Sequence, residues 1–223
     1  MTDVVVFDID GTLVDSNYHH ALAWYDPLAR CGVTVPVWRV HRHIGMGGDQ
    51  IVRALVGEEF ERARGDDARA AHAEAFSAML AGIRPIDGAR DLLRGLRQGG
   101  LQVVVASSAS ASDVDSHLTA LDAHDLVDAC ITAESVDRTK PDPDLVRAAL
   151  EEVSRPAESA VMVGDAPWDI VEAARIGVPT VAVLTGGHPR ADLEAAGAVA
   201  VVPSVAEVSA ADLRTLFEPA PAS

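Results

Sequence analysis

The chain has 223 residues, 48% of them hydrophobic and 23% charged, enough for a folded domain with a smaller insertion and too apolar to stay disordered. Thirty-four acidic residues against eighteen basic ones give a formal net charge of -16, a field that repels nucleic acid and anionic lipid and leaves a phosphate-bearing ligand dependent on local cations or a metal. The N-terminus lacks the basic flank and length of a signal peptide, no segment is long enough to span a bilayer, and Cys31 and Cys130 fit no disulfide or metal pattern, so a cytoplasmic chain with no nucleic-acid or membrane partner is expected.

Aromatic residues make up only 4%, so the core must be built from Val, Ala, Leu and Ile. Short apolar runs at residues 4–10, 101–108, 129–134, 160–165, 180–185 and 198–202 are near-continuous in those residues. Runs without alternation suit strands buried on both faces, as in a parallel sheet covered by helices. Helical spacing fills 87–98, 112–121, 142–153, 168–176, 190–196 and 209–217. This alternation predicts an α/β fold, a doubly wound parallel sheet of the Rossmann-like kind. The interval after the first run breaks the rhythm, reading as helices at 17–30, 50–56 and 58–80 with no buried strand. It predicts an all-helical insert over residues 16–83, with an α/β core formed by 1–15 and 84–223 and hinges near 15–17 and 83–88. The stretch 58–75, rich in Glu, Arg, Asp and Ala, is expected to be a solvated helix face. The Pro- and Ala-rich tail after Phe217 is expected to fray.

Residues able to do chemistry gather at the predicted strand ends. The first run closes in Asp8-Ile9-Asp10-Gly11-Thr12, and side chains alternate along a strand, so Asp8 and Asp10 fall on one side. Open parallel sheets bind ligands just beyond such carboxyl ends. Two carboxylates this close need a cation between them or a proton on one. A hard divalent ion such as magnesium takes carboxylate and carbonyl oxygens, and a protonated carboxyl is a general acid. The second run ends in Ser107-Ser108, a hydroxyl placed to hold an anion, and the fourth in Gly164-Asp165 with Asp169 four residues on. Each alone is an ordinary turn or helix cap; three strand ends offering Asp/Asp, Ser and Asp/Asp together point to a cation-dependent site. Lys140 is the only lysine, the other seventeen basic residues being arginines. A compact ammonium suits bridging a carboxylate and a phosphoryl oxygen, and Pro141 and Pro143 stiffen the turn that carries it.

Asp8-Ile9-Asp10-Gly11-Thr12-Leu13-Val14-Asp15-Ser16, Ser107, Lys140-Pro141 and Gly164-Asp165 with Asp169 resemble the four motifs of the haloacid dehalogenase-like hydrolase superfamily, in order and across nearly the whole chain. The helical insert resembles the cap of its phosphoglycolate phosphatase and beta-phosphoglucomutase branch. The resemblance implies a magnesium-dependent phosphatase that hydrolyses small phosphomonoesters through an aspartyl-phosphate. Asp8 would then be the nucleophile and Asp10 the acid and base. Ser107 and Lys140 would hold the phosphoryl oxygens, with help from amides near Gly11 and Thr12. Asp8, Asp10 (through its backbone carbonyl) and Asp165 would hold Mg2+, with Asp169 as a supporting carboxylate. Ala166 and Pro167 stand where relatives commonly carry small hydroxyl residues, which would remove one supporting hydrogen bond at the metal.

Within that family, the second aspartate of the first motif argues against the metal-free dehalogenases, and a lysine-free stretch 17–82 argues against Schiff-base phosphonate hydrolysis. The alternative is a phosphosugar mutase of the beta-phosphoglucomutase type, whose cap entrance His20, Ala23 and Trp24 resemble. Such a mutase needs a cap cation for a second phosphate. Near His43-Ile44-Gly45-Met46-Gly47-Gly48-Asp49 only Arg42 and Arg53 offer one, and Thr12 replaces the mutase's bulky aliphatic residue. A binding protein without turnover would show a broken motif, and none is broken. His20, His41, His43, Gly45, Met46, Gly47 and Asp49 are the cap candidates for substrate contact, though His20 fits equally as a partly buried structural histidine. Trp24 and Tyr25 are expected to pack the cap, and Gly186-Gly187-His188 either lines the pocket or turns the chain.

Overall fold

The computed structural model describes residues 2–215. Strand β1 (Val4–Phe7) leads into four consecutive helices, α1 (Asn17–Arg30), α2 (Val37–His41), α3 (Gly48–Val56) and α4 (Glu58–Ser77), before α5 (Ala89–Gln98) returns the chain to the sheet. Then follow β2 (Gln102–Ala106), α6 (Ala111–Leu121), β3 (Ala129–Ile131), α7 (Asp144–Glu152), β4 (Ala160–Gly164), α8 (Pro167–Ala174), β5 (Thr180–Val183), α9 (Arg190–Ala196), β6 (Ala200–Val202) and α10 (Ala210–Thr215). The six strands pair only in parallel, in the order β3-β2-β1-β4-β5-β6. Each lies within the apolar run expected for it, and most stop short because the polar residues closing the run leave the ladder.

Both faces of β1 are buried, which is why its sequence does not alternate. Val5 and Phe7 enter a core shared with Leu93 and Leu96 of α5 and Val114 and Leu118 of α6. Val4 and Val6 enter the opposite core, against Leu145 and Val146 of α7 and Ala173 of α8. The helices α1–α4 close a third cluster of their own, built on Ala21, Trp24, Leu28, Val40, Ile51, Leu55 and Ala68. The two chain segments joining this cluster to the sheet run side by side. Asp15 N–H donates to the Arg84 carbonyl and Ile86 N–H to that of Leu13, each at 2.9 Å. That pairing sets the helical insert over the carboxyl ends of the strands.

The seam between insert and core is polar. Asp49 accepts from the Thr139 amide at 3.2 Å and from its hydroxyl, Arg42 pairs with Asp192 at 2.6 Å, and His41 Nε2 meets the Gly186 carbonyl at 2.9 Å. Gly47 lies so close to this seam that a Cβ there would overlap the Thr139 side chain. Two expectations need correction. α4 is not merely a solvated face: it buries Gly65, Ala68 and Phe76, and one side of it lines a cavity. The insert also holds α2, five residues that follow Pro36 and are too short to carry a helical period. The end of the 209–217 helix and the tail after Phe217 lie outside the described residues. Among the described residues no helix is long and apolar enough to cross a membrane, and both cysteines are free.

Candidate active site

The strand order reverses at β1 and β4, and the acidic residues converge at the carboxyl ends of those two strands. Asp8 follows β1 directly, its amide still donating to the Val163 carbonyl of β4 at 3.0 Å. Lys140 Nζ lies 2.6 Å from Asp8 Oδ1 and 2.8 Å from Asp169 Oδ1, with the lysine wholly buried. Asp169 sits in the first turn of α8, where its Oδ2 also accepts from the amides of Asp165 at 3.0 Å and Ala166 at 2.9 Å. Asp165 is held by Thr12 Oγ1 on one oxygen at 2.8 Å and by Asn17 Nδ2 on the other at 2.7 Å.

Asp8, Asp165 and Asp169 each offer a carboxylate oxygen, all within 4.8 Å of one another. Burial pushes the Asp8 carboxyl up to about 7, Lys140 counteracting while Asp169 and Asp10 add to the rise. Burial, then Asp169 and Asp8, holds Asp165 well above the ordinary carboxylate range. Burial would lower the Lys140 ammonium, but Asp169 and Asp8 outweigh it and hold it above its usual value. One buried ammonium cannot balance three carboxylates. The cluster therefore fits a hard divalent cation, which takes oxygen ligands of this kind.

Asp10 is arranged differently. Its Oδ1 accepts from Ser16 Oγ at 2.5 Å and meets His20 Nε2 at 3.2 Å and His117 Nε2 at 3.3 Å. Burial alone would raise this carboxyl; His20 and His117 overcome it and hold Asp10 well below the ordinary range. Burial likewise works against a charged His117, and Asp10 outweighs it and raises that imidazole. The chain of contacts continues outward: His20 Nδ1 shares a hydrogen bond with His72 Nε2 at 3.2 Å, and its ring stacks on Phe76 at 3.7 Å between centroids.

A cavity of about 210 Å³ opens above these groups. Asp8, Asp10, Ser107 and Ser108 form its core side, and His20, Trp24, Gly45, Met46, Arg69 and His72 its insert side. Of the residues expected at the site, Asp8, Asp10 and Ser107 reach the cavity, while Lys140, Asp165 and Asp169 lie buried around Asp8. Ser107 is nearly buried, its hydroxyl accepting from the Ala109 amide at 3.0 Å. The amides of Gly11 and Thr12 are engaged within their own turn, donating to the carbonyls of Val14 and Ile9, and the Thr12 hydroxyl serves Asp165 rather than the cavity.

Among the cap candidates His20, Gly45 and Met46 line the cavity; His43, Gly47 and Asp49 do not. Asp49 is committed to Thr139, Gly47 gives way to the same residue, and His43 bonds the Arg39 carbonyl at 2.9 Å. His41 belongs to the seam with Gly186. Trp24 packs the insert and lines the cavity as well. Sequence reasoning missed Asn17, Arg69, His72 and His117, each carried on a helix whose rotation about its own axis is set by packing. A histidine beside the apolar positions of α6 and a glycine inside the polar α4 were the available signals.

His188 marks the other side of the seam, stacked on His41 at 5.3 Å between centroids. Burial, with His41 beside it, pushes its imidazole down from 6.5 to about 4. The folded chain thus holds it neutral while the unfolded chain takes up the proton first. Its contribution is complete above about pH 6.5 and is lost as pH falls toward 4, a swing on the order of 3 kcal/mol. The melting temperature of His188→Gln should accordingly fall less than that of the unsubstituted chain between pH 7 and 4.5. Parallel pH–melting curves would dismiss the effect.

Residues 5–183 match the family model for haloacid dehalogenase-like hydrolases. The chain is 30% identical to a validoxylamine A 7'-phosphate phosphatase of Streptomyces hygroscopicus subsp. limoneus, over 87% of this chain and 92% of that protein. It is 31% identical to a phosphoglycolate phosphatase of Rhodospirillum rubrum, over 90% and 87%. The crystal structure of a hydrolase from Pseudomonas syringae superposes with a TM-score of 0.86 at 31% identity, covering 97% of this chain and 98% of that one.

Proposed function

The chain belongs to the haloacid dehalogenase-like hydrolases, and on that premise we propose that it is a magnesium-dependent phosphatase of small organic phosphomonoesters that works through an aspartyl-phosphate. The observation that carries this reading is the placement of Asp8, clamped by the buried Lys140 and facing, in one cavity, an Asp10 held by two histidines. The phosphatase names of the two relatives support it. Residues 16–83 serve in this reading as a cap over a core made of 1–15 and 84–223.

The covalent step transfers the phosphoryl group to an Asp8 oxygen as the bond from phosphorus to the ester oxygen breaks. The leaving oxygen takes a proton through Asp10, whose carboxylate relays it from the His117 imidazole that it raises, 3.3 Å away. Water then attacks phosphorus, gives its proton back to Asp10, and frees both phosphate and the Asp8 carboxylate. Lys140 and Ser107 hold phosphoryl oxygens, the lysine as a compact charge that keeps Asp8 ionised. Asp8, Asp165 and the Asp10 carbonyl are the groups that would hold Mg2+; Asp169, already shared between Lys140 and two amides, supports them. The ion supplies positive charge against the carboxylates and the phosphoryl group. Thr12 and Asn17 aim Asp165.

The mutase alternative loses both of its candidate cap cations. Arg42 pairs with Asp192, Arg53 bonds Gln50, and neither lines the cavity, while Arg69, which does, is paired with Glu61 and Asp66. The test is phosphate release from an aryl phosphate with magnesium. Release should stop in excess chelator and return on adding magnesium back. Undiminished release in chelator would remove the metal from the mechanism, and no release from any monoester would remove the phosphatase.

A further inference from the structure

The insert side of the cavity carries one arginine, and that arginine is already occupied. Arg69 of α4 donates to Glu61 Oε1 and Asp66 Oδ1, both at 2.8 Å, and to the Gly48 carbonyl at 3.0 Å. Glu61 and Arg69 lie two helical turns apart, a separation their side chains close by meeting over the residue between them. That residue is Gly65, where a Cβ would lie 2.6 Å from Glu61 Oε1 and 2.8 Å from the Arg69 guanidinium. Glycine weakens a helix interior, so this position has a local reason to lack a side chain. Gly48 also faces the Arg69 stem but leaves room there, a Cβ falling in ordinary contact 3.5 Å from its Cδ.

Among the described residues of that wall the other basic group at the reacting end, His20, is taken up by Asp10 at 3.2 Å. Trp24, Met46 and Ala73 are apolar, and burial followed by the neighbouring His20 keeps His72 well below the ordinary imidazole range, hence uncharged. From the core side Asp113 adds another carboxylate at the cavity. An anionic tail on the substrate would therefore have to compete for Arg69 with Glu61 and Asp66. The second oxygen of Glu61, Oε2, is buried without a hydrogen-bond partner and the side chain is only 21% exposed, so the displaced carboxylate would lose its counter-charge in a mostly buried setting. The cavity, at about 210 Å³, is also smaller than the roughly 300–1,000 Å³ of sites that take drug-sized ligands.

We propose that this cavity selects small phosphomonoesters whose leaving group bears no second negative charge, such as polyol or sugar monophosphates, and that the Glu61–Gly65–Arg69 arrangement is the specificity determinant that excludes carboxylated and doubly phosphorylated substrates. The proposal rests on the phosphatase reading above. It also separates the chain from its relative named for phosphoglycolate, whose leaving group carries a carboxylate. Ser110 and Asp113, bonded to each other at 2.7 Å, line the cavity with oxygens that can still accept from hydroxyls.

A matched pair of substrates tests it: 2-phosphoglycolate and 2-hydroxyethyl phosphate, similar in size and differing in a terminal carboxylate against a hydroxymethyl group. With saturating magnesium, kcat/KM should favour the hydroxyethyl ester by about tenfold or more, the discrimination expected when one ligand must break a partly buried ion pair. Glu61→Gln and Gly65→Ala both loosen the hold on Arg69, one by removing the partly buried carboxylate and the other by filling the crossing point, which leaves the exposed Asp66 as its ion-pair partner. In each, the ratio should move toward phosphoglycolate by about tenfold, mainly in KM. Using the ratio within each variant cancels any general loss of activity, and alanine at position 65 favours the helix, which guards against misfolding. A preference for phosphoglycolate in the unsubstituted chain, or an unchanged ratio in both variants, overturns the proposal. An aryl phosphate assayed alongside keeps the two readings apart, because its complete stability would overturn the phosphatase itself.

Discussion

Asp8→Asn is expected to lower phosphate release by on the order of ten-thousandfold or more while leaving the chain folded, the scale of losses when a covalent nucleophile is removed. The amide has nearly the shape of the carboxylate but no charge with which to attack phosphorus. Stability should move the other way. Burial already pushes the Asp8 carboxyl up to about 7 against the attraction of Lys140, so its ionised form is held at a cost. Replacing it with a neutral amide relieves that cost, while Lys140 keeps Asp169 at 2.8 Å. The melting temperature should therefore stay level or rise as turnover disappears. Single-turnover assays and a melting curve check the two halves, with mass spectrometry of the intact variant to show any reversion to Asp. A variant retaining a tenth of normal turnover would end the covalent mechanism.

The same opposition between stability and chemistry explains which parts of this molecule were legible in its sequence. The six strands announced themselves because β1 and its neighbours are buried on both faces and so carry unbroken Val, Ile and Ala. The apolar runs overshoot the strands, since Asp8 and Ser107 follow them without punctuation and yet leave the ladder. Convergence of Asp8, Asp10, Ser107, Asp165 and Asp169 could be anticipated because parallel topology brings strand ends together wherever the helices go. No comparable rule governs the insert. Whether Arg69 or a neighbouring arginine of α4 meets the cavity depends on the turn of that helix against α1 and α3, which packing around Ala68 and Trp24 decides. Asn17 read as part of a hinge, yet the folded chain uses it to hold Asp165. Two residues of the glycine-rich stretch 43–49, Gly47 and Asp49, serve the seam with Thr139, a partner ninety residues beyond Asp49 in sequence.

Lys140→Arg, which keeps the charge, is nonetheless expected to lose a hundredfold or more in kcat/KM. The lysine lies in a pocket without solvent exposure, its Nζ 2.6 Å from Asp8 and 2.8 Å from Asp169. A guanidinium is longer and planar, so seating it there pushes at least one carboxylate aside. Displacement of the nucleophile by ~1 Å costs on the order of a hundredfold in rate. Lys140→Ala should do more, because it leaves Asp8 and Asp169 facing each other without a counter-charge; breaking a buried pair this way costs about 3–5 kcal/mol. Part of that cost will be recovered by protonation of Asp8, which again removes the nucleophile. The two substitutions thus separate charge from shape. If Lys140 served only to hold its turn against α8, arginine would keep both the fold and near-normal rates. Measured kcat/KM and melting temperature for both variants, at saturating magnesium with one phosphomonoester, decide the matter: a near-normal rate for Lys140→Arg would take the lysine out of the reaction and leave it a structural ion pair.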